Sequence, residues 1–164
     1  INLSGQSVGD ENFLHFVKTQ FSNYKIDHEK ICFEITETAA ISNLIKATEF
    51  ICELKTMGCY FALDDFGSGL SSFAYLKNLP VDYTKIDGMF VRDIANDSID
   101  KEMVRSITSI AKAMGKETIA EFVENDEIKV ILEDIGVDYV QGYGIAKPQS
   151  LKTLTTDKLN WKKI

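Results

Sequence analysis

The sequence predicts an α/β fold made of parallel βα units, and three observations lead there. Short apolar runs of strand length alternate with amphipathic stretches of helix length along the 164 residues. Helical stretches close on Gly58, Gly115 and Gly136, where a left-handed cap calls for glycine. Each strand ends or nearly ends on a residue able to bind a metal or an anion: Asn2, Glu34, Asp64 with Asp65, Lys85, Glu121 and Gln141. In a (β/α)8 barrel all C-terminal strand ends converge on one mouth, whereas an open doubly wound sheet spreads them along an edge. Convergence selects a modified TIM (β/α)8 barrel, here as six βα units, with the first two strands of the barrel expected upstream of Ile1.

Ile1 to Leu3 reads as the end of a strand, and a polar linker follows Gly5. Phe13, Leu14, Phe16, Val17 and Phe21 recur at helical spacing, which predicts a helix from about Asp10 to Tyr24. Ile31 to Ile35 is a short buried strand, after which Glu34 or Glu37 could cap the following helix. Leu44, Ile45, Ala47, Phe50, Ile51 and Leu54 make a second amphipathic helix ending near Met57, and Cys59 to Asp64 is the next strand. A short helix over about Ser71 to Lys77 stops before Pro80, and Val81 to Ile86 returns as a strand. Met103, Val104, Ile107, Ile110, Ala111 and Met114 define a long helix from about Ser98. Glu117 to Glu121 is a strand, Asp126 to Ile135 a helix, and Asp138 to Gln141 the last strand. A C-terminal helix is expected over about Ser150 to Leu159.

A composition of 45% hydrophobic and 26% charged residues suits one ordinary globular domain. The net charge of -7 excludes a protein that grips a DNA or RNA duplex through a broad basic surface. Cys32, Cys52 and Cys59 are odd in number and form no CxxC pair, so they read as reduced core thiols of a cytoplasmic protein. No apolar segment approaches the roughly 20 residues of a membrane span. Any membrane contact is therefore expected from another part of a longer protein.

The stretch Phe61-Ala62-Leu63-Asp64-Asp65-Phe66-Gly67-Ser68-Gly69 is an apolar run that stops on two adjacent carboxylates and a glycine-rich turn. Two such acids at the mouth of a buried strand are costly to hold without a cation, although either could instead cap a helix or turn. Carboxylates and an amide oxygen at successive strand ends form a hard-oxygen set suited to magnesium or manganese. Divalent ions in such a set point to phosphoryl chemistry. Lys85 then adds a fixed positive charge or holds the attacking water, and Glu121 is a candidate general base. The segment Gly67 to Ser72 reads as a loop that couples substrate binding to metal binding, or equally as a solvated turn with a serine cap.

Asn2-Leu3-Ser4, Phe33-Glu34-Ile35-Thr36-Glu37-Thr38, the paired-acid stretch, Lys85-Ile86-Asp87, Ala120-Glu121-Phe122-Val123-Glu124 and Gln141-Gly142-Tyr143 stand in the order and spacing of the EAL-domain family. The chain resembles that family of cyclic-di-GMP phosphodiesterases from its first residue to about Pro148. The resemblance implies hydrolysis of cyclic-di-GMP to linear pGpG with two Mg2+ or Mn2+ ions. It implies that Asn2, Glu34 and Asp64 are metal ligands, with Asp65 serving the second metal. Lys85 would hold the catalytic water, Glu121 would act as general base or metal partner, and Gln141 with Glu124 would complete the substrate pocket. Glu37 would anchor the flexible loop that begins at Phe66, Gly67, Ser68 and Gly69. A homodimer is implied, as are attached sensory or GGDEF-type domains in the full protein.

Two departures stand out. Phe122 occupies a position where the family often has glycine. The Glu-Ala-Leu segment and its nearby arginine are expected within about 80 residues upstream of Ile1, the length of two missing βα units. A catalytically silent cyclic-di-GMP receptor or dimerisation module is the alternative. A metal-dependent lyase or racemase would fit the acids and the lysine but not the motif order. A barrel short of two strands exposes two sheet edges, so this stretch alone is expected to be poorly soluble or to pair through them.

Overall fold

The computed structural model describes residues 1–67 and 74–150. Six strands form one sheet: β1 (Asn2–Leu3), β2 (Cys32–Thr36), β3 (Tyr60–Phe66), β4 (Tyr83–Ile86), β5 (Glu117–Ala120) and β6 (Tyr139–Val140). Every pair is parallel, and the spatial order β1-β2-β3-β4-β5-β6 follows the chain. Crossovers between parallel strands are right-handed, so an order that never reverses puts all connecting helices on one face. A doubly wound sheet needs a reversal, and none occurs among the described residues. The sheet is thus of the kind that forms part of a TIM-like barrel.

Burial along β2 shows the two faces. Phe33 and Ile35 are buried on the helix side, while Cys32, Glu34 and Thr36 on the other face are only partly covered. Between sheet and helices lies the core, where the Phe33 and Phe61 rings stand 5.4 Å apart and Phe50 meets Phe61 edge-on at 6.3 Å. Burying a side chain such as Ile35 or Leu63 contributes about 1.5–3 kcal/mol.

The helices are α1 (Gly5–Val8), α2 (Glu11–Tyr24), α3 (Glu37–Ser42), α4 (Leu44–Lys55), α5 (Ser98–Ala113) and α6 (Asp126–Ile135). Their starts follow from side-chain caps: Asp10 accepts from the Asn12 amide, Asp97 from Ile99, and Asn125 from Ile128. Gly136 ends α6 at φ 88°, and Gly58 follows α4 at φ 103°. On α4 the buried residues Ala47, Phe50, Ile51 and Leu54 repeat at helical spacing.

The structure corrects several expectations. The polar linker after Gly5 is α1, which Ser4 caps by accepting from the Ser7 amide. A further helix, α3, begins where Thr36 accepts from the Ala39 amide, so Glu34 and Glu37 are not its caps. β3 runs past the paired acids to Phe66 instead of stopping at them. Residues 74–78 form turns, and the remainder of the helix expected from Ser71 lies outside the described residues, as does all but Ser150 of the expected C-terminal helix. Cys59 is buried as expected, but Cys32 is only partly buried and Cys52 is exposed on the outer side of α4.

Candidate active site

The register of the sheet decides which side chains meet. Asn2 pairs with Glu34, Thr36 with Asp64, and Lys85 with Ile119, so Glu34, Asp64, Lys85 and Glu121 project from the same face near the C-terminal strand ends. The Lys85 ammonium lies 2.8 Å from Glu34 Oε2, 2.7 Å from Asp64 Oδ1 and 2.9 Å from Glu121 Oε1. Lys85 itself is 3% exposed. Burial works against its charge, but the carboxylates of Asp64, Glu34 and Glu121 outweigh it and hold the lysine above its usual pKa range. Glu121 shifts upward as well, chiefly through burial, which its contact with Lys85 only partly offsets.

Asp64, Asp65 and Glu121 each bring a carboxylate oxygen within 4.8 Å of the others. Adjacent residues of a regular strand point to opposite faces, so this meeting needs a local irregularity. Asp65 supplies it, with φ 56° and a shift of register against β4 between Leu63 and Phe66. Burial, Asp64 and Asp87 raise the pKa of Asp65 in that order. Asp87, whose charge bears on Asp65 and whose carboxylate accepts from the Met89 amide, is an acid that the sequence reading passed over. It lies two positions beyond Lys85, and the period of two along a strand was the signal that could have found it.

Asn2 is exposed on the edge strand beside Glu34. Glu124 and Gln141 line a cavity of about 540 Å³ together with Arg92, Glu121, Phe122 and Tyr143. Arg92, which sequence reasoning missed, holds its guanidinium 4.2 Å from the centre of the Phe122 ring. Phe122 has φ 55°, a left-handed conformation that costs a residue with a Cβ about 1–2 kcal/mol. Glycine meets no such penalty. The backbone beyond it lies on the last strand end: Val123 donates to Gln141 O at 3.0 Å, and a Cβ on Gly142 would come within 2.3 Å of Val123.

Glu37 is buried and accepts from the Gly67 amide at 3.2 Å and from the Tyr75 hydroxyl. One carboxylate therefore ties together the two sides of the stretch at residues 68–73. Ser68 and Gly69 lie outside the described residues, and Phe66 is packed in the core.

Carboxylates around an ammonium, a second aspartate beside them and a cavity next door can hold hard divalent cations and a phosphate ester. The comparisons with known proteins agree in family. The EAL domain profile matches residues 1–148. Cyclic di-GMP phosphodiesterase PdeB of Shewanella oneidensis is 49% identical over 151 residues, covering 92% of this chain and 18% of that protein. Cyclic di-GMP phosphodiesterase PdeF of Escherichia coli is 42% identical over 151 residues, with 92% and 20% covered. The chain thus spans about a fifth of the length of these curated relatives. Among solved structures, the EAL enzyme Bd1971 bound to cAMP and cyclic-di-GMP superposes with a TM-score of 0.89 at 32% identity, covering 97% of this chain and 42% of that one. With sequence profile, relatives and fold in agreement over nearly its whole length, the chain belongs to the EAL domain family.

Proposed function

We propose that this chain is the C-terminal part of a single EAL-type barrel domain that hydrolyses cyclic di-GMP to linear pGpG. The observation that carries the reading is the Lys85 ammonium bonded to Glu34, Asp64 and Glu121 beside Asp65, next to a cavity that Glu121 lines. Their all-oxygen donor set fits Mg2+ or Mn2+, with Asp64, Asp65 and Glu121 as holders and Asn2, Glu34 and Asp87 beside them. Such ions, when bound, polarise a phosphodiester oxygen and acidify water. Lys85 orients the attacking water and offsets charge that develops on the phosphate. Glu121, with its pKa raised by burial, serves either as the base that takes the proton from that water or as a metal partner beside Asp64 and Asp65. Phe122 under Arg92 presents an aromatic and cationic surface on which a purine stacks, and Glu124 and Gln141 offer hydrogen-bonding groups to its edge. Glu37 holds Gly67 and Tyr75, on either side of residues 68–73, beside the paired acids.

The same reading makes the intact protein a cytoplasmic homodimer with sensory or GGDEF-type domains attached, and gives it the role of lowering a bacterial second messenger. Among the described residues no helix is long and apolar enough to cross a membrane. The test is to incubate the intact protein with cyclic di-GMP and Mg2+ or Mn2+ and to follow pGpG. Turnover is expected, and Glu121→Gln should lower it by about 10²–10⁴-fold. Tight nucleotide binding without pGpG under either ion would favour the silent receptor instead.

A further inference from the structure

Lys85 and Glu121 come from neighbouring strands, and a second contact joins the same two strands just beyond them. β5 ends at Ala120, Glu121 reaches Lys85 at 2.9 Å, and the next residue, Phe122, takes φ 55°. An aromatic residue has no intrinsic reason to hold that conformation. Its ring rests on Gly88: a Cβ there would lie 2.0 Å from Phe122 Cδ2, 2.6 Å from Cγ and 2.9 Å from Cε2. Arg92 covers the ring with its guanidinium, and its amide donates to Gly88 O at 3.0 Å, so Gly88 and Arg92 share one turn of backbone. That turn directly follows Lys85-Ile86-Asp87 at the end of β4. Phe122 stays 44% exposed, so burial alone does not account for its seat.

We propose that Gly88, Phe122 and Arg92 form a positioning unit that sets the carboxylate of Glu121 against Lys85, and that Gly88 is required only because residue 122 carries a ring. The unit rests on the reading of Glu121 as a site residue given above. An aromatic side chain clamped by the β4 turn does here what the freedom of a glycine at position 122 would do without it. The clamp also fixes the distance between the two strand ends.

Four forms of the intact protein test this: wild type, Gly88→Ala, Phe122→Gly and the double variant. The readouts are Mn2+ affinity by titration with the ion alone, pGpG turnover and the thermal midpoint. Gly88→Ala should weaken Mn2+ binding by about tenfold or more, because a displaced Phe122 drags Glu121 with it. Phe122→Gly should change Mn2+ affinity less than about threefold, although losing the stacking ring should lower turnover, and the double variant should match it in both, since the ring that the added methyl group would strike is gone. An equal loss from Gly88→Ala in both backgrounds would overturn the proposal, as would a lowered thermal midpoint with unchanged Mn2+ affinity. Should Gly88→Ala not fold, Arg92→Met decides: a loss of about two- to fivefold in Mn2+ affinity is expected, and none would count against the unit. If even the wild type forms no pGpG, the functional reading fails while the Mn2+ titration still decides the positioning.

Discussion

Two lysines of this chain are almost equally hidden, Lys85 at 3% exposure and Lys116 at 8%, yet their surroundings give them opposite characters. Lys85 sits near the C-terminal end of β4 and is met by three carboxylates. Lys116 sits one residue before β5, at the other end of the sheet, and donates to Leu79 O at 2.7 Å and Val81 O at 3.0 Å. Burial disfavours both ammonium groups. At Lys85 the carboxylates reverse that effect and raise the pKa, while at Lys116 burial prevails, aided by Lys55, and lowers it. Burial of a charge therefore does not by itself make a site. What distinguishes the C-terminal end of the sheet is a surplus of carboxylates around one cation, whereas the other end uses a cation to tie down a loop.

The sharpest way to break this contrast is to remove each ammonium. Lys85→Met leaves the buried or half-buried carboxylates of Glu34, Asp64 and Glu121, with the exposed Asp65 beside them, facing one another. Without divalent ions it should lose about 3–5 kcal/mol of stability in denaturant unfolding of the intact protein. Mg2+ or Mn2+ should restore more of the variant's stability than it adds to the wild type, because a bound ion replaces the missing charge. Equal ion effects in both would show that Lys85 is not the counter-charge of this cluster. Lys116→Met removes one donor from each of two carbonyls and should cost less, about 1–3 kcal/mol, with no dependence on divalent ions.

The smallest effect is in the alkaline pH dependence, where the two lysines should differ in sign. Lys85 has a raised folded pKa, so the stability it contributes is complete below the ordinary lysine value and declines as pH rises beyond it. The gap between wild type and Lys85→Met should narrow there. Lys116 has a lowered folded pKa, so the unfolded chain keeps a proton that the folded chain has released, and the gap to Lys116→Met should widen as pH climbs toward about 10.4. Parallel slopes for the two variants would remove the distinction.

Long periodic segments were legible in the sequence because many residues report the same face. α2, α4, α5 and α6 all lie where apolar spacing put them. α1 and α3 were not legible, since four and six residues are too few to display a period of 3.6. The paired acids were recognised as a stretch, but alternation along a strand would send them to opposite faces. It takes the left-handed backbone of Asp65 and the register shift beside it to turn both to one mouth. Arg92 carried no signal, because its role depends on a ring 30 positions away in the chain. Tyr75 was silent for the same reason, its partner Glu37 lying 38 positions earlier.

Residue types and their spacing were thus sufficient for the class of fold and for which strand ends bear acids, because side-chain periodicity and caps are local properties of the backbone. Which of those acids share one ammonium, which glycine must stay bare beneath a ring, and which lysine meets carboxylates and which only carbonyls came from the packed sheet alone. Those are contacts between strands and turns far apart in sequence, and parallel register with right-handed crossovers, not local preference, brings them together.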